Sequence, residues 1–186
     1  MALTESTMLP LGTAAPDFEL PGTDGKTYTL DSFSGAKALM IVFTCNHCPY
    51  ALAFENRLIA IAGDFADKGL STLFICSNDE KNFPDDSFVK MKEHAEKKSF
   101  PFPYCQDASQ NVARAYDAAC TPDPYLFDSE GKLVYRGRVD DNWEEPGKAV
   151  HHDLRNAVEA VLQSKPASSK QYASLGCNIK WFHEQS

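Results

Sequence analysis

Six consecutive apolar residues, Ala38-Leu39-Met40-Ile41-Val42-Phe43, lead the chain through Thr44 to Cys45-Asn46-His47-Cys48, with Pro49 directly after. An unbroken apolar run of this length predicts a strand over 37–43, covered by other elements on both faces. From Pro49 to Lys68, apolar residues recur at Phe54, Leu58, Ile61, Ala62 and Phe65, which is helical spacing, and Gly69 supplies a stop. Two cysteines three residues apart therefore stand where a buried strand hands over to a long helix. That junction restricts the chain to α/β architectures with a reactive loop at the end of a central strand.

The remaining pattern extends the same alternation. Leu70 to Cys76 predicts a second apolar strand, and 85–98 a helix through Phe88, Met91 and Ala95. A short extended piece over 101–105 precedes a short helix over 109–119 carrying Val112, Tyr116 and Ala119. Tyr125-Leu126-Phe127 and the stretch from Leu133 to Val139 flank an Asp128-to-Lys132 turn and predict an antiparallel hairpin. A last helix is expected over 152–164, with Leu154, Ala157, Val158, Val161 and Leu162 inward. Near the N-terminus, residues 15–30 predict another hairpin around Gly22-Thr23-Asp24-Gly25. After Pro166 an Ala-Ser-Ser-Lys linker leads to a segment with Cys177, Ile179 and Trp181, apolar enough to be expected to pack back on the domain.

A chain of 186 residues with 43% hydrophobic and 24% charged side chains supports one folded domain and excludes disordered or fibrous classes. The net charge of -8 repels phosphate backbones and anionic lipid, so neither nucleic acid nor membrane is an expected partner. Met1 to Thr7 shows no signal-peptide pattern and no apolar run approaches membrane-spanning length, so a soluble, cytoplasmic protein is expected. Paired cysteines in a reducing compartment point to catalysis, redox sensing or metal binding rather than to a structural staple.

The chemistry follows from the junction. Unpaired amides in the first turn of a helix favour negative charge, so Cys45, read as lying there, is expected to ionise more readily than an ordinary thiol. Cys48, about a turn further along the same face, can close a disulfide with it. Cys45 is then the attacking thiolate and Cys48 the resolving thiol. His47 can support the Cys45 thiolate by charge or hydrogen bond. A zinc site would need two further ligands, and no second paired motif supplies them. Neither a metal nor an organic cofactor is expected.

Ala15-Pro16-Asp17-Phe18 with Asp24-Gly25-Lys26, the Thr44-to-Pro49 motif, Cys120-Thr121-Pro122-Asp123, and Phe127-Asp128 before Gly131-Lys132 together resemble the thioredoxin-like superfamily. The similarity is to its alkyl hydroperoxide reductase and thiol-specific antioxidant (AhpC/TSA) branch and the related thiol-disulfide oxidoreductases. With the Gly176-to-Trp181 tail, it resembles a peroxiredoxin-like, or redoxin-like, subfamily with a C-x-x-C site. The resemblance implies a three-layer sandwich with a mixed central sheet, an N-terminal β-hairpin extension, a redoxin domain over 11–165 and a tail over 166–186. It also implies that Pro122 is a cis-proline facing the cysteine pair and that Thr121 exposes backbone to a bound substrate. Thr44 occupies the position of the tryptophan common in thioredoxins, and Leu39 that of their buried acid. The peroxidase signature, with Thr three residues before the reactive Cys, is absent.

Among the other cysteines, Cys76 and Cys105 default to packing, a Cys105–Cys120 disulfide being possible in principle, while Cys120 and Cys177 are candidate accessory thiols. Arg138, Asp140 and Asp141 could border the site, with a solvated turn as the plainer account; His151 and His152 are expected to be solvated. The expected activity is thiol-disulfide exchange between the dithiol and a protein or small-molecule disulfide, with a thiol system as electron donor. Thiol-dependent peroxidase activity through Cys45 is the alternative, and a metal-binding or metal-delivery module the third reading.

Overall fold

The computed structural model describes residues 3–182. In chain order these form β1 (Leu3–Glu5), β2 (Glu19–Pro21), β3 (Thr27–Thr29), β4 (Ala38–Phe43), α1 (Pro49–Ala66) and β5 (Leu70–Cys76). There follow α2 (Phe88–Lys98), β6 (Tyr104–Gln106), α3 (Asn111–Ala115), β7 (Cys120–Thr121), β8 (Asp123–Asp128), β9 (Leu133–Arg136), α4 (Asp153–Leu162) and β10 (Leu175–Asn178). Short 3-10 turns occur at Leu30–Phe33, Pro84–Asp86 and Pro146–Lys148. No described helix is long and apolar enough to cross a membrane.

The central sheet runs β6-β5-β4-β8-β9, parallel from β6 to β4 and antiparallel through β8 and β9. All six residues of β4 are buried because its two faces feed two different cores. Ala38, Met40 and Val42 pack with α1, α2 and α4 through Phe54, Leu58, Met91, Leu154 and Val158. Leu39, Ile41 and Phe43 pack on the opposite face with Tyr116, Tyr125 and Phe127, and with Phe18 and Leu20 beside the β2–β3 hairpin. Period-2 alternation along one strand thus makes the three layers of a thioredoxin-like α/β sandwich.

The helix expected over 85–98 begins instead with the 3-10 turn Pro84–Asp86 and becomes regular only at Phe88. Proline holds the first turn tight, and this turn buries Asp86 completely. The short helix expected over 109–119 is confined to Asn111–Ala115.

The tail returns to the domain as β10, which lies between β1 and β7 in a second, three-stranded sheet. Its approach is close: a Cβ on Gly176 would stand 2.0 Å from the carbonyl oxygen of Thr121. Gly137, with φ of +132°, allows a similar approach to the Tyr172 carbonyl. Both glycines therefore seat the 172–177 segment against the sandwich.

Candidate active site

Cys45 to Cys48 occupy the bend between β4 and α1. Helix α1 begins at Pro49 with Cys48 as its N-cap, so Cys45 lies before the helix rather than in its first turn. Proline at the first helical position needs no N–H partner, which is why the helix starts there. The thiol of Cys48 donates to the Thr121 carbonyl oxygen at 3.2 Å, and Cys45 Sγ lies 3.5 Å from Thr121 Oγ1. The Thr121–Pro122 bond is cis. Thr121 therefore meets both sulfurs, one through its backbone and one through its hydroxyl. Both cysteines are buried; Cys45 retains 4% exposure and Cys48 none.

Two thiols this close share their protons. Cys48 is lowered to about 4, first because Cys45 hydrogen-bonds its thiolate, with Cys177, Thr121 and the Ala51 amide assisting against the cost of burial. Cys45 is held well above the ordinary thiol range, because its proton is engaged by Cys48, because burial disfavours charge, and because Asp86 is negative. With both protons present Cys48 donates to Thr121, and when one proton leaves the pair the charge is favoured on the N-cap residue Cys48. The amides of the helix start reach Cys48, through Ala51, and not Cys45 as the strand-to-helix spacing predicts.

His47 sits at the rim, its Nδ1 2.6 Å from Asp86 Oδ2 and its ring stacked on Phe83 at 5.3 Å. The carboxylate raises the His47 pKa, first by this hydrogen bond, while burial opposes it. Asp86 also accepts from the Asn46 amide at 2.8 Å and from Asn78 Nδ2 at 2.7 Å. Tyr104 donates to Asn46 Oδ1 at 3.1 Å, which holds the bend from the β6 side. One carboxylate therefore fixes both residues between the cysteines. Nothing local in the sequence distinguishes Asp86 from an acid at a helix entrance, since its partners lie 8 to 40 residues away.

Cys45, His47 and Asp86 place potential ligand atoms within 4.8 Å of one another, the one such group among the described residues. The Asp86 oxygens are already occupied by three protein donors, so the group is built to hold the bend rather than to present a carboxylate to an ion.

Thr44 is buried and uses its N–H in the sheet, donating to Ile75 O at 2.8 Å. Cys177 on β10 pairs in register with Thr121, and Cys120 on β7 is buried with its thiol directed to Pro122 O at 3.8 Å. Cys76 and Cys105 lie in the two cores, with Cys105 raised to about 12 by burial. No disulfide joins any of the six cysteines. Arg138, Asp140 and Asp141 line, with Phe54, Pro122 and Trp143, a cleft of about 250 Å³ on the Pro122 side of the site. His151 and His152 are exposed at the entrance to α4.

The chain is similar to solved structures along nearly its whole length. A protein of Geobacillus kaustophilus is 44% identical, with a TM-score of 0.95, over 99% of this chain and 98% of that one. A protein of Sinorhizobium meliloti is 43% identical, with a TM-score of 0.93, over 97% and 100%. Among characterised relatives, the thiol-disulfide oxidoreductase ResA of Geobacillus thermodenitrificans is 26% identical over 133 residues, 70% of each chain. Residues 11–136 match the AhpC/TSA family model, and the chain belongs to the AhpC/TSA family.

Proposed function

We propose that the protein is a thiol-disulfide oxidoreductase in which Cys45 attacks a partner disulfide and Cys48 resolves the mixed disulfide. The observation that carries this reading is the pair itself: two buried sulfurs at the end of the central strand, meeting at Thr121, with residual exposure only at Cys45. Its similarity to thiol-disulfide oxidoreductases supports the same chemistry.

The proton arrangement suits the first step. As a partner disulfide reaches Cys45, the Cys45 proton passes to the Cys48 thiolate that already accepts it, and the Cys45 thiolate attacks. The partner's first sulfur leaves as thiolate and is protonated from solvent. Cys48 then returns its proton to the outgoing second sulfur and bonds to Cys45. Two electrons and one proton leave the thiol–thiolate pair, the second proton comes from solvent, and the partner disulfide becomes two thiols. Pro122 carries no N–H to compete for the sulfurs. Asp86 favours the cationic form of His47 at the rim, where negative charge arrives.

Physiological partners on this reading are disulfide-containing proteins or small disulfides, with a thiol system restoring the dithiol. A Cys48→Ser chain should accumulate a mixed disulfide with its partner, released by reductant, while a Cys45→Ser chain should trap nothing. Equal trapping by both variants would overturn the assignment. The family match favours one second reading, in which a peroxide oxidises Cys45 to a sulfenic acid that Cys48 resolves with loss of water. Thiol-coupled peroxide consumption no faster than that of a free thiol would remove it.

A further inference from the structure

A third sulfur stands beside the pair. Cys177, on β10, lies in register with Thr121, the residue whose carbonyl accepts the Cys48 thiol at 3.2 Å. Its neighbour Gly176 lies against that same carbonyl with no space for a Cβ, so the strand holds Cys177 at the closest approach β10 can make to β7. Cys45, Cys48 and Cys177 share one buried cluster, and Cys48 interacts with the thiols of both others. We propose that Cys177 is a third redox thiol, which attacks the Cys45–Cys48 disulfide at Cys48 and converts it to a Cys48–Cys177 disulfide.

The inference rests on the dithiol reading above and extends it. In this step the Cys48–Cys177 bond forms, the Cys45–Cys48 bond breaks, and the proton of Cys177 ends on Cys45. Nothing is oxidised or reduced overall, so no external reactant is needed. The consequence is that the oxidising equivalents move off Cys45 onto the Cys48–Cys177 bond, and Cys45 is free to engage a second partner.

The electrostatics make the step conditional on oxidation. In the dithiol, Cys177 is raised to about 12, first by burial and then by its hydrogen bond to Cys48 and that residue's charge, with Lys180 opposing. Once Cys48 is in a disulfide, its charge and its demand for the Cys177 proton are gone. Burial opposed by the Lys180 cation remains, and Cys177 becomes the better nucleophile when there is a disulfide to attack. The electrophilic sulfur is also the one that it contacts.

The test is disulfide mapping of the full chain. Reduced wild-type and Cys45→Ser proteins are oxidised with one equivalent of diamide, quenched in acid, alkylated and digested. Trypsin leaves Cys45 and Cys48 on one peptide and Cys177 on another, so a cross-linked peptide pair from monomeric Cys45→Ser protein reports Cys48–Cys177 alone. The expected result is that cross-link in Cys45→Ser and its absence in Cys48→Ser. In the oxidised wild type, a fraction of Cys45 should be alkylatable, and Cys177→Ala should lower that fraction about tenfold. Separate alkylated peptides in both wild-type and Cys45→Ser protein, with Cys45–Cys48 forming normally in the wild type, would overturn the third thiol and leave the dithiol reading standing. Failure of Cys45–Cys48 to form in the wild type would overturn both.

Discussion

His47 Nδ1 and Asp86 Oδ2 meet at 2.6 Å, 39 residues apart in sequence, so a turn after β5 sets the orientation of the residue between the two cysteines. Asp86 is fully buried and His47 only partly, so a buried carboxylate favours the charged form of an imidazole at the rim. Replacing Asp86 with Asn should remove the charge while keeping a carbonyl oxygen in place. The His47 pKa should then fall toward its ordinary value of 6.5, as read by ring-proton shifts in an NMR titration. Because the folded pKa is raised, the stability from this pair is fully present below 6.5 and is lost as pH rises through the folded value. The variant should lack that decline and be about 3 kcal/mol less stable at low pH. An unchanged His47 titration would contradict the pairing.

The acidity of Cys48 has its own signature. Its folded pKa of about 4 lies below the ordinary 9.0, so it stabilises the reduced fold fully above 9.0, and that contribution is lost as pH falls through about 4. Denaturant midpoints of reduced wild type should therefore rise with pH across this window more steeply than those of Cys48→Ser. Thiolate ultraviolet absorbance should show a step on the acid side of neutrality in the wild type only. If the first thiolate in the wild type appears only near 9.0, the account of proton sharing fails.

Gly176→Ala tests the seat of the tail. The added methyl meets the Thr121 carbonyl oxygen at 2.0 Å, and backbone cannot move aside as a flexible side chain would. The expected loss is about 3 kcal/mol in chemical denaturation, the upper part of the range for overpacking. Disulfide exchange should fall with it, since Thr121 contacts both cysteines. A variant as stable and active as wild type would mean that β10 has slack against β7.

Arg57 of α1 anchors the loop beyond β9. Its Nη1 donates to both Asp140 oxygens, at 2.8 and 2.6 Å, and to Asn142 O, while Nη2 donates to Ala53 O and Trp143 O. Lysine keeps the charge but cannot reproduce this planar fork, so Arg57→Lys should cost about 2 kcal/mol. Faster proteolysis between 138 and 143, where the loop borders the Pro122 cleft, is the measurement that checks it. Equal protease lifetimes would show that the charge alone suffices.

The elements were largely legible in the sequence, for a physical reason. The unbroken apolar run of β4, the helical spacing of Phe54, Leu58 and Ile61, and the turn at Asp128 to Lys132 each record burial or backbone geometry within a few neighbours. The cysteine pair was legible in the same way, because its meaning lies in a three-residue spacing at a strand-to-helix junction. The boundary of α1 was less so. One residue's difference at that helix start moves the terminal amides from Cys45 to Cys48, and with them the site of the charge.

By itself, then, the sequence determined the α/β alternation and the close spacing of the two cysteines proposed to carry the chemistry, since periodicity and spacing are local quantities, and its resemblance to known proteins named the family. Only the tertiary structure decided that Asp86 organises Asn46 and His47, that Thr121 meets both sulfurs, and that β10 brings Cys177 to Cys48. Those relationships span roughly 40 to 130 residues of chain and arise from sheet register and loop closure, which no short window of residues encodes.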